Sequence, residues 1–562
     1  LRYAFRTASV ALVALLTLQT AHSQTRPSGE MPKLVENIDV RIINIDVVVT
    51  DRKGNPVTGL KREDFQIFEN GIPKTISNFY AVEGSRPVLV ETEPSEVPSP
   101  APAASREEIP EQLKRRIIFY IDNLSLAPFN RNRVFNHMKE FTKTIMRPGD
   151  EALVATFNRS MKVRVPFTKD PVQIQQTLDI IAGESALGTN ISSERKQVES
   201  QIRDAQSYDE AVMAARTYAS SVEHDLRQSA ASLQGLMSTL AGLDGKKILV
   251  LTSEGFPMQP GREVFYYIDE VAKEKQWNFS GALLESMSFD ASHLIQSIAK
   301  SANANGITMY TIHAGGLTGG DTFSAEHAQP TSFTVSQAAI SNTTESMHLM
   351  ADMTGGLASI QTNNYALAFR RIQNDLESYY SLGYRAGTER VDRQRNIDVR
   401  VKNRNYIVRA RQTFVEKSTF AEMSDRVIAN LLYKTKSNEL SILVRMHTPI
   451  PSEDGLFRVP VEIQIPMESL TLMPQGETEY VGGFDVYVAV ANKDNDMSDV
   501  ARKAHQLRVP ASDIPKTKGK YYTYALDLLM ERGLNRLSVG VIDQISNTTG
   551  FSREQIIAQD LR

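Results

Sequence analysis

The sequence predicts a multidomain chain, α/β plus all-β, in which a mainly parallel sheet with helices on both faces lies between smaller β-sandwich-like domains. Three observations predict it. Continuous apolar runs alternate with helix-spaced segments through the middle of the chain, short alternating strands separated by turns occupy both ends, and a proline-rich stretch divides the first block from the second. At 562 residues the chain is too long for a single core. Hydrophobic residues at 41% and charged residues at 23% are ordinary globular values, which excludes wholesale disorder.

The first 23 residues carry Arg2 and Arg6, then the apolar run Ala8 to Leu18, then Ala21-His22-Ser23 ahead of Gln24. This is the layout of a secretory signal peptide, and the run is short of the roughly 20 residues that a spanning helix needs. The chain is therefore expected to be exported, to a periplasm, a cell surface or the medium, with an uncleaved anchor as the alternative. No other segment reads as a membrane span, so none is expected in the mature chain. Residues 35–83 read as a small β-domain: Val40, Ile42, Ile45, Val47 and Val49 alternate, and Phe65, Ile67 and Phe68 precede the turn Glu69-Asn70-Gly71. Residues 84–114, with Pro87, Pro94, Pro98, Pro100, Pro102 and Pro110, read as an extended linker.

Residues 115–386 carry the α/β pattern. Arg116 to Asp122 is a continuous apolar run ending in a carboxylate, as expected of a strand buried on both faces. Helical spacing over Arg133 to Met146 leads to the strand Ala152 to Phe157, and Val163 with Val165 suggests a shorter one. Lys247 to Thr252 and Ile307 to Ile312 repeat the buried-strand character. Ahead of Lys247, residues 192–243 form a long helical segment with Val212, Ala215, Tyr218 and Val222 on one face, expected to pack on its own sheet for most of its length, with a projecting, partner-binding surface as the alternative. A helix over Tyr365 to Tyr379 then leads into Tyr380 to Tyr384, expected as the last strand of the same sheet. Residues 387–415 are expected as a β-hairpin extension, Ile397 to Val401 and Tyr406 to Ala410 alternating across Asn403-Arg404-Asn405. Residues 417–562 read as an all-β sandwich built from Leu440 to Met446, Val459 to Ile465, Phe484 to Val490, Tyr521 to Leu529 and Leu537 to Ile542.

Several function classes are excluded on composition and motif. A net charge of -3 without a Lys/Arg tract lacks the footprint of a nucleic-acid binder. With no cysteine, the chain has neither disulfides nor a thiolate metal site. The nine histidines include no HExxH, and no GxxxxGK[ST] or GxSxG is present, so the chain is expected not to be an enzyme. His313, at the end of a strand, sits where a base could act, but a single histidine without a nucleophile or metal is read as structural. Asp494-Asn495-Asp496 lacks the rest of a calcium loop and is read as a solvated turn.

The strand and its end at Ile117 to Leu126, the Gly188-Thr189-Asn190 loop, Ile248 to Gly255, and Met353-Thr354-Gly355-Gly356 followed by Asp375 to Tyr384 together resemble von Willebrand factor type A domains. The likeness is specifically to a related group of secreted bacterial proteins. It extends through Val47 to Asp51 and Leu60 to Phe65, and so covers about residues 37–414. The resemblance implies a Rossmann-like central domain with a metal-ion-dependent adhesion site, where Mg²⁺ is held at the strand ends and a partner's carboxylate completes its shell. The family's DxSxS is here Asp122, Leu124 and Leu126, so hydrocarbon replaces both hydroxyl ligands. Thr189 matches the family's threonine, and the later aspartate is replaced by Ser253 or, shifted by one, by Glu254.

The candidate metal residues are therefore Asp122, Ser125, Thr189, Ser253 and Glu254, forming a degenerate site at which no cofactor, or at most Mg²⁺ or Ca²⁺, is expected. The alternative is purely structural: Asp122 caps the next helix or braces a turn, Thr189 lies in a surface turn, and the two leucines pack beneath the loop. The expected function is that of an exported, non-catalytic, adhesion-type binding protein that engages a protein or an extracellular polymer. A structural envelope component or assembly scaffold is the first alternative, and a hydrolase using His313 the second.

Overall fold

The computed structural model describes residues 42–84, 86–92, 114–278, 281–317, 333–385, 391–435 and 437–559. The signal-peptide reading and residues 93–113 of the linker reading lie outside them. Among the described residues no helix is long and apolar enough to cross a membrane. The chain is mixed α/β with one mainly parallel sheet and several antiparallel ones. It divides into two compact units, one made of Asp39–Ser238 with Asp244–Glu416 and the other carrying Lys417–Arg562.

The first unit begins with β1 (Ile42–Thr50), β2 (Phe65–Glu69), β3 (Ile72–Lys74), β4 (Ile76–Glu83) and β5 (Arg86–Thr92). Ile43, Ile45, Val47 and Val49 of β1 all point into a core, as their alternation requires. Asn70 and Gly71 both take positive φ, 49° and 80°, the backbone a tight β2–β3 hairpin needs. β5 corrects the linker reading that began at residue 84, because it pairs antiparallel with β4. Pro87 is tolerated since β5 is an edge strand and Pro87 lies opposite Val82, beside a register shift.

The α/β layer follows: β6 (Arg115–Asp122), α1 (Pro128–Ile145), β7 (Glu151–Phe157), β8 (Met161–Thr168), α2 (Pro171–Ala182), α3 (Gly188–Asp204), α4 (Tyr208–Thr239), β9 (Lys246–Ser253), α5 (Arg262–Glu274), α6 (Ala282–Ser286), α7 (Ser292–Ala304), β10 (Ile307–His313), α8 (Phe333–Thr354), β11 (Ala358–Ser359) and α9 (Tyr365–Glu377). The sheet order is β11-β10-β9-β6-β7-β8, parallel except for β8, which runs antiparallel on β7. Every residue of β6 is buried. Ile117, Phe119 and Ile121 pack into a core shared with α1, α2 and α9, while Ile118 and Tyr120, equally buried, face the other way. Both faces are therefore covered, and polar chemistry is left to the strand ends.

The segment read as one long helix is two, α3 and α4, broken at Ala205, where φ is -55° and ψ 139°. It packs, as expected, but against α5: Ala211, Ala215, Tyr218 and Ala219 bury with Val264, Phe265 and Ile268 in a core of their own.

The chain then returns to the β layer through β12 (Tyr379–Arg385), β13 (Gln394–Val401), β14 (Ile407–Ala410) and β15 (Thr413–Val415). Two expectations are corrected here. Tyr380 to Tyr384 does not extend the parallel sheet; β12 sits between β1 and β4, antiparallel to both, in the order β14-β1-β12-β4-β5. β13 and β14 do not form a hairpin: β13 pairs with β2 and β15, and β14 with β1. The physical reason is burial, because Tyr380, Leu382, Tyr384, Ile397 and Val399 complete the apolar core that Ile45, Phe65, Ile67 and Phe79 cannot close alone.

A buried ion pair ties this β layer to the α/β layer. Arg409 of β14 is bidentate to Asp375 of α9, with Nη2–Oδ1 2.6 Å and Nη1–Oδ2 2.7 Å, and Tyr310 Oη donates to the same carboxylate at 3.1 Å. Asp375 is 2% exposed.

The second unit contains α10 (Thr419–Tyr433), β16 (Leu443–Met446), β17 (Ile450–Pro451), β18 (Phe457–Pro466), β19 (Met473–Gln475), β20 (Glu479–Ala491), β21 (Ala501–Pro510), β22 (Tyr521–Met530), β23 (Gly533–Asp543) and β24 (Thr549–Ala558). One sheet runs β16-β18-β17 with β22 on β18, and the other β19-β20-β23-β24 with β21 on β20. Val459, Val461 and Ile463 share a core with Val486, Leu537 and Val539. The all-β expectation omits α10, which starts at the cap Ser418, whose side chain accepts from Ala421 N, and buries Met423, Val427 and Leu431 against Tyr487 and Phe551.

Asp375→Ala should remove about 3 kcal/mol or more of unfolding free energy, because it strands a buried guanidinium. Urea unfolding of the full chain checks this; a loss under about 1 kcal/mol, the range of exposed pairs, would show that the two layers do not depend on the pair.

Candidate functional site

Parallel pairing brings the carboxyl ends of β6, β9 and β10 to one edge. Ile121 is in register with Thr252, and Ser253 with His313, so Asp122, Ser253 and His313 end adjacent strands side by side. Ser125 Oγ and Ser253 Oγ each donate to Asp122 Oδ2 at 2.7 Å, and the two hydroxyl oxygens lie 2.8 Å apart. Backbone N–H groups of Glu254 and Gly255 donate in turn to Ser125 Oγ (3.0 Å) and Ser253 Oγ (2.9 Å). Asp122 is 3% exposed, yet its Oδ1 is left without a hydrogen-bond partner.

Of the residues picked out from sequence, Asp122, Ser125, Ser253 and Glu254 come together. Thr189 does not join them: it is exposed in the first turn of α3 and does not line the cavity described below. Its neighbour Gly188 makes the close approach instead, donating to Leu126 O at 3.0 Å, while Leu187 N donates to Asn123 O at 2.8 Å. A Cβ on Gly188 would lie 2.3 Å from Ser125 O, so this contact brings in backbone and leaves no room for a side chain. Leu124 and Leu126 are both buried, and Leu124 also lines the cavity described below. Asp122 does not cap α1, whose N-cap residue is Ala127. Glu254 serves that end, its Oε1 accepting from Ala127 N at 2.7 Å and from Asn130 Nδ2 at 3.1 Å. Arg131, fully buried, staples the loop to the end of α2 through Asn123 Oδ1 and the carbonyls of Ala182 and Glu184.

Above this floor lies a cavity of about 450 Å³, of the size that holds small ligands. Its walls mix apolar groups, Ile191 of α3, Tyr218, Val222 and Leu226 of α4, Phe256 and Ile340 of α8, with the polar floor. The contributions of α4 and α8 had no sequence signal of their own; apolar residues at helical spacing read as core. One glycine did carry a signal: Gly255 has φ +114°, and a Cβ there would meet Thr343 of α8 at 2.4 Å, which is how α8 comes against the edge.

Burial sets the electrostatics. It pushes the Asp122 carboxyl above the usual carboxylate range, with the Ser125 and Ser253 hydroxyls pulling it back, and it raises Glu254 likewise, against the Ala127 N–H and Asn130. Burial lowers His313, against the neighbouring Glu254 backbone, and its Nδ1 has no hydrogen-bond partner. Among the described residues no group of three or more His, Cys, Asp or Glu side chains is placed to hold a metal ion.

No family model and no curated protein sequence matches the chain. Solved structures similar to it include von Willebrand factor type A domains. An aerotolerance-related membrane protein from Bacteroides fragilis is 10% identical, over 46% of this chain and 98% of its own, with a TM-score of 0.24. The vWF domain of a type V pili tip protein from Porphyromonas gingivalis is 12% identical over 46% and 93%, with a TM-score of 0.24. A von Willebrand factor type A protein from Catenulispora acidiphila is 9% identical over 79% and 66%, with a TM-score of 0.22.

The raised carboxyl has a consequence for stability. Below about pH 4 both folded and unfolded chains hold the Asp122 proton and the group contributes nothing. As pH rises, the unfolded chain ionises first, so stability is lost from there up through the higher folded-state value. Asp122→Asn removes this loss. Its melting temperature should therefore gain on the parent's as pH goes from 4 to 8; a constant offset across that range would mean the carboxyl titrates like an exposed one.

Proposed function

We propose that the chain is an exported, non-catalytic binding protein of adhesion type, engaging a protein or an extracellular polymer through the strand-end loops around Asp122. The observation that carries this reading is the cavity with a half-satisfied carboxyl on its floor, at the edge where open α/β sheets bind their ligands. The same geometry favours binding over turnover. Both hydroxyls donate to Asp122 and His313 Nδ1 meets no partner, so no hydroxyl is hydrogen-bonded to the imidazole that the hydrolase alternative would use.

On this reading the adhesion site is degenerate and holds no resident dication. Mg²⁺ and Ca²⁺ need about six oxygen ligands. Here both hydroxyl protons go to Asp122 Oδ2, both hydroxyl oxygens already accept a backbone N–H, and Leu124 and Leu126 stand where further oxygens would be needed. The donor set does not fit the ion.

Two measurements test the reading. Immobilised full chain should capture a specific partner from envelope or culture-fluid extracts, and Ile191→Arg, which replaces an apolar wall residue of the cavity by a longer cationic side chain, should reduce that capture by at least about tenfold, the effect of a misplaced charge at a contact. Equal capture by both proteins, or none by either, would sink the proposal. Calorimetric titration with Mg²⁺ and Ca²⁺ should give no saturable heat at millimolar concentrations; saturable heat that Asp122→Ala abolishes would restore the metal.

A further inference from the structure

The cavity over the strand ends is lined by five carboxyl side chains, those of Asp122, Glu194, Asp225, Glu254 and Glu263, against one guanidinium, Arg195. Arg195 is itself held 3.4 Å from Glu199. Acidity alone would mark only a solvated surface, but two of the polar groups here are buried and incompletely bonded. Asp122 Oδ1 and His313 Nδ1 have no partner, with the residues 3% and 5% exposed, and both residues line the cavity. Burial holds His313 towards its neutral form, in which one ring nitrogen is an acceptor, as Oδ1 is. They end strands two places apart in the sheet, β6 and β10, and so stand roughly 10 Å from one another by two inter-strand spacings.

The base of the cavity thus holds carboxyl oxygens, with Asp122 Oδ1 and His313 Nδ1 just beneath its surface, while the walls at Leu124, Val222, Leu226, Phe256 and Ile340 are hydrocarbon. A metal ion needs oxygens or water all round and would meet those walls unfavourably. An anion would meet carboxyl groups.

We propose that this cavity is a binding site for a small organic ammonium, a primary amine on an apolar body, with the –NH₃⁺ group on Asp122 and Glu254 and the body against the α4 and α8 walls. An ammonium brings three N–H donors and a positive charge to carboxyls that burial pushes towards their protonated forms, so its charge favours the ionised acceptor, and charge-assisted bonds of this kind are the strong ones. Its apolar body covers surface that is otherwise left to water. The inference rests on the reading of this edge as a binding surface and gives that surface a ligand class.

The test is calorimetric titration of the full chain with tryptamine, and in separate arms with tryptophol and indole-3-propionate, which keep the ring and replace the ammonium by a hydroxyl or a carboxylate. Tryptamine should bind saturably and at least about tenfold more tightly than either, the value of a hydrogen bond to a charged group. Glu254→Gln and Asp122→Asn should each weaken it by a similar factor, and Ile340→Trp, which fills the cavity without touching the floor, should abolish it with the far-ultraviolet circular dichroism unchanged. No binding in any arm, equal binding in all three, or tryptamine binding that survives the floor substitutions and Ile340→Trp would overturn the inference. Partner capture separates the two failures. If tryptamine does not bind but Ile191→Arg still reduces capture, the ligand class is wrong and the binding surface stands; if neither responds, both fall.

Discussion

A carboxyl group held at the end of a fully buried strand is the constraint around which this edge is organised. β6 has no exposed residue, so Asp122 reaches the strand end already stripped of most of its water. Two hydroxyls satisfy one of its oxygens, and each hydroxyl is fixed in turn by a backbone N–H from the loop after β9. The network is a closed set of bonds on one side and an open acceptor on the other. An unpaired polar atom in such surroundings costs of order 1–3 kcal/mol, which is why the free oxygen points to a ligand more strongly than the acidity of the cavity does.

The roof over that carboxyl depends on backbones that approach more closely than side chains allow. Gly188 sets the start of α3 against the Ser125 carbonyl, and Gly255 sets the loop after β9 against Thr343 of α8. The cavity between these contacts is walled by helix residues that face it instead of packing on the sheet.

The β layer shows a different economy of parts. Strands from residues 42–92 leave an apolar core open until β12 and β13 arrive from more than 280 positions later, and Arg409 then reaches Asp375. The α/β layer is inserted between the two halves of this layer. Each layer is thereby held by contacts far apart in sequence, and the buried ion pair fixes their mutual orientation as well as contributing to cohesion.

The apolar runs of β6, β9 and β10, the alternation in β1, the Asn70-Gly71 turn and five strands of the last unit, β16, β18, β20, β22 and β23, were legible in the sequence, because burial on one or both faces imposes a period that composition records directly; β21 and β24 were not read. Asp122, Ser125, Ser253 and Glu254 were legible as a group only through the resemblance to type A domains, which implies ligands at the ends of such runs. Tertiary structure alone decided where β12 and β13 pair, since a strand's own alternation says that it is buried but not against what. It also decided that Thr189 stays outside while Gly188 enters, and that α4 and α8 wall a cavity, because apolar helix faces carry the same pattern whether they meet a core or a pocket.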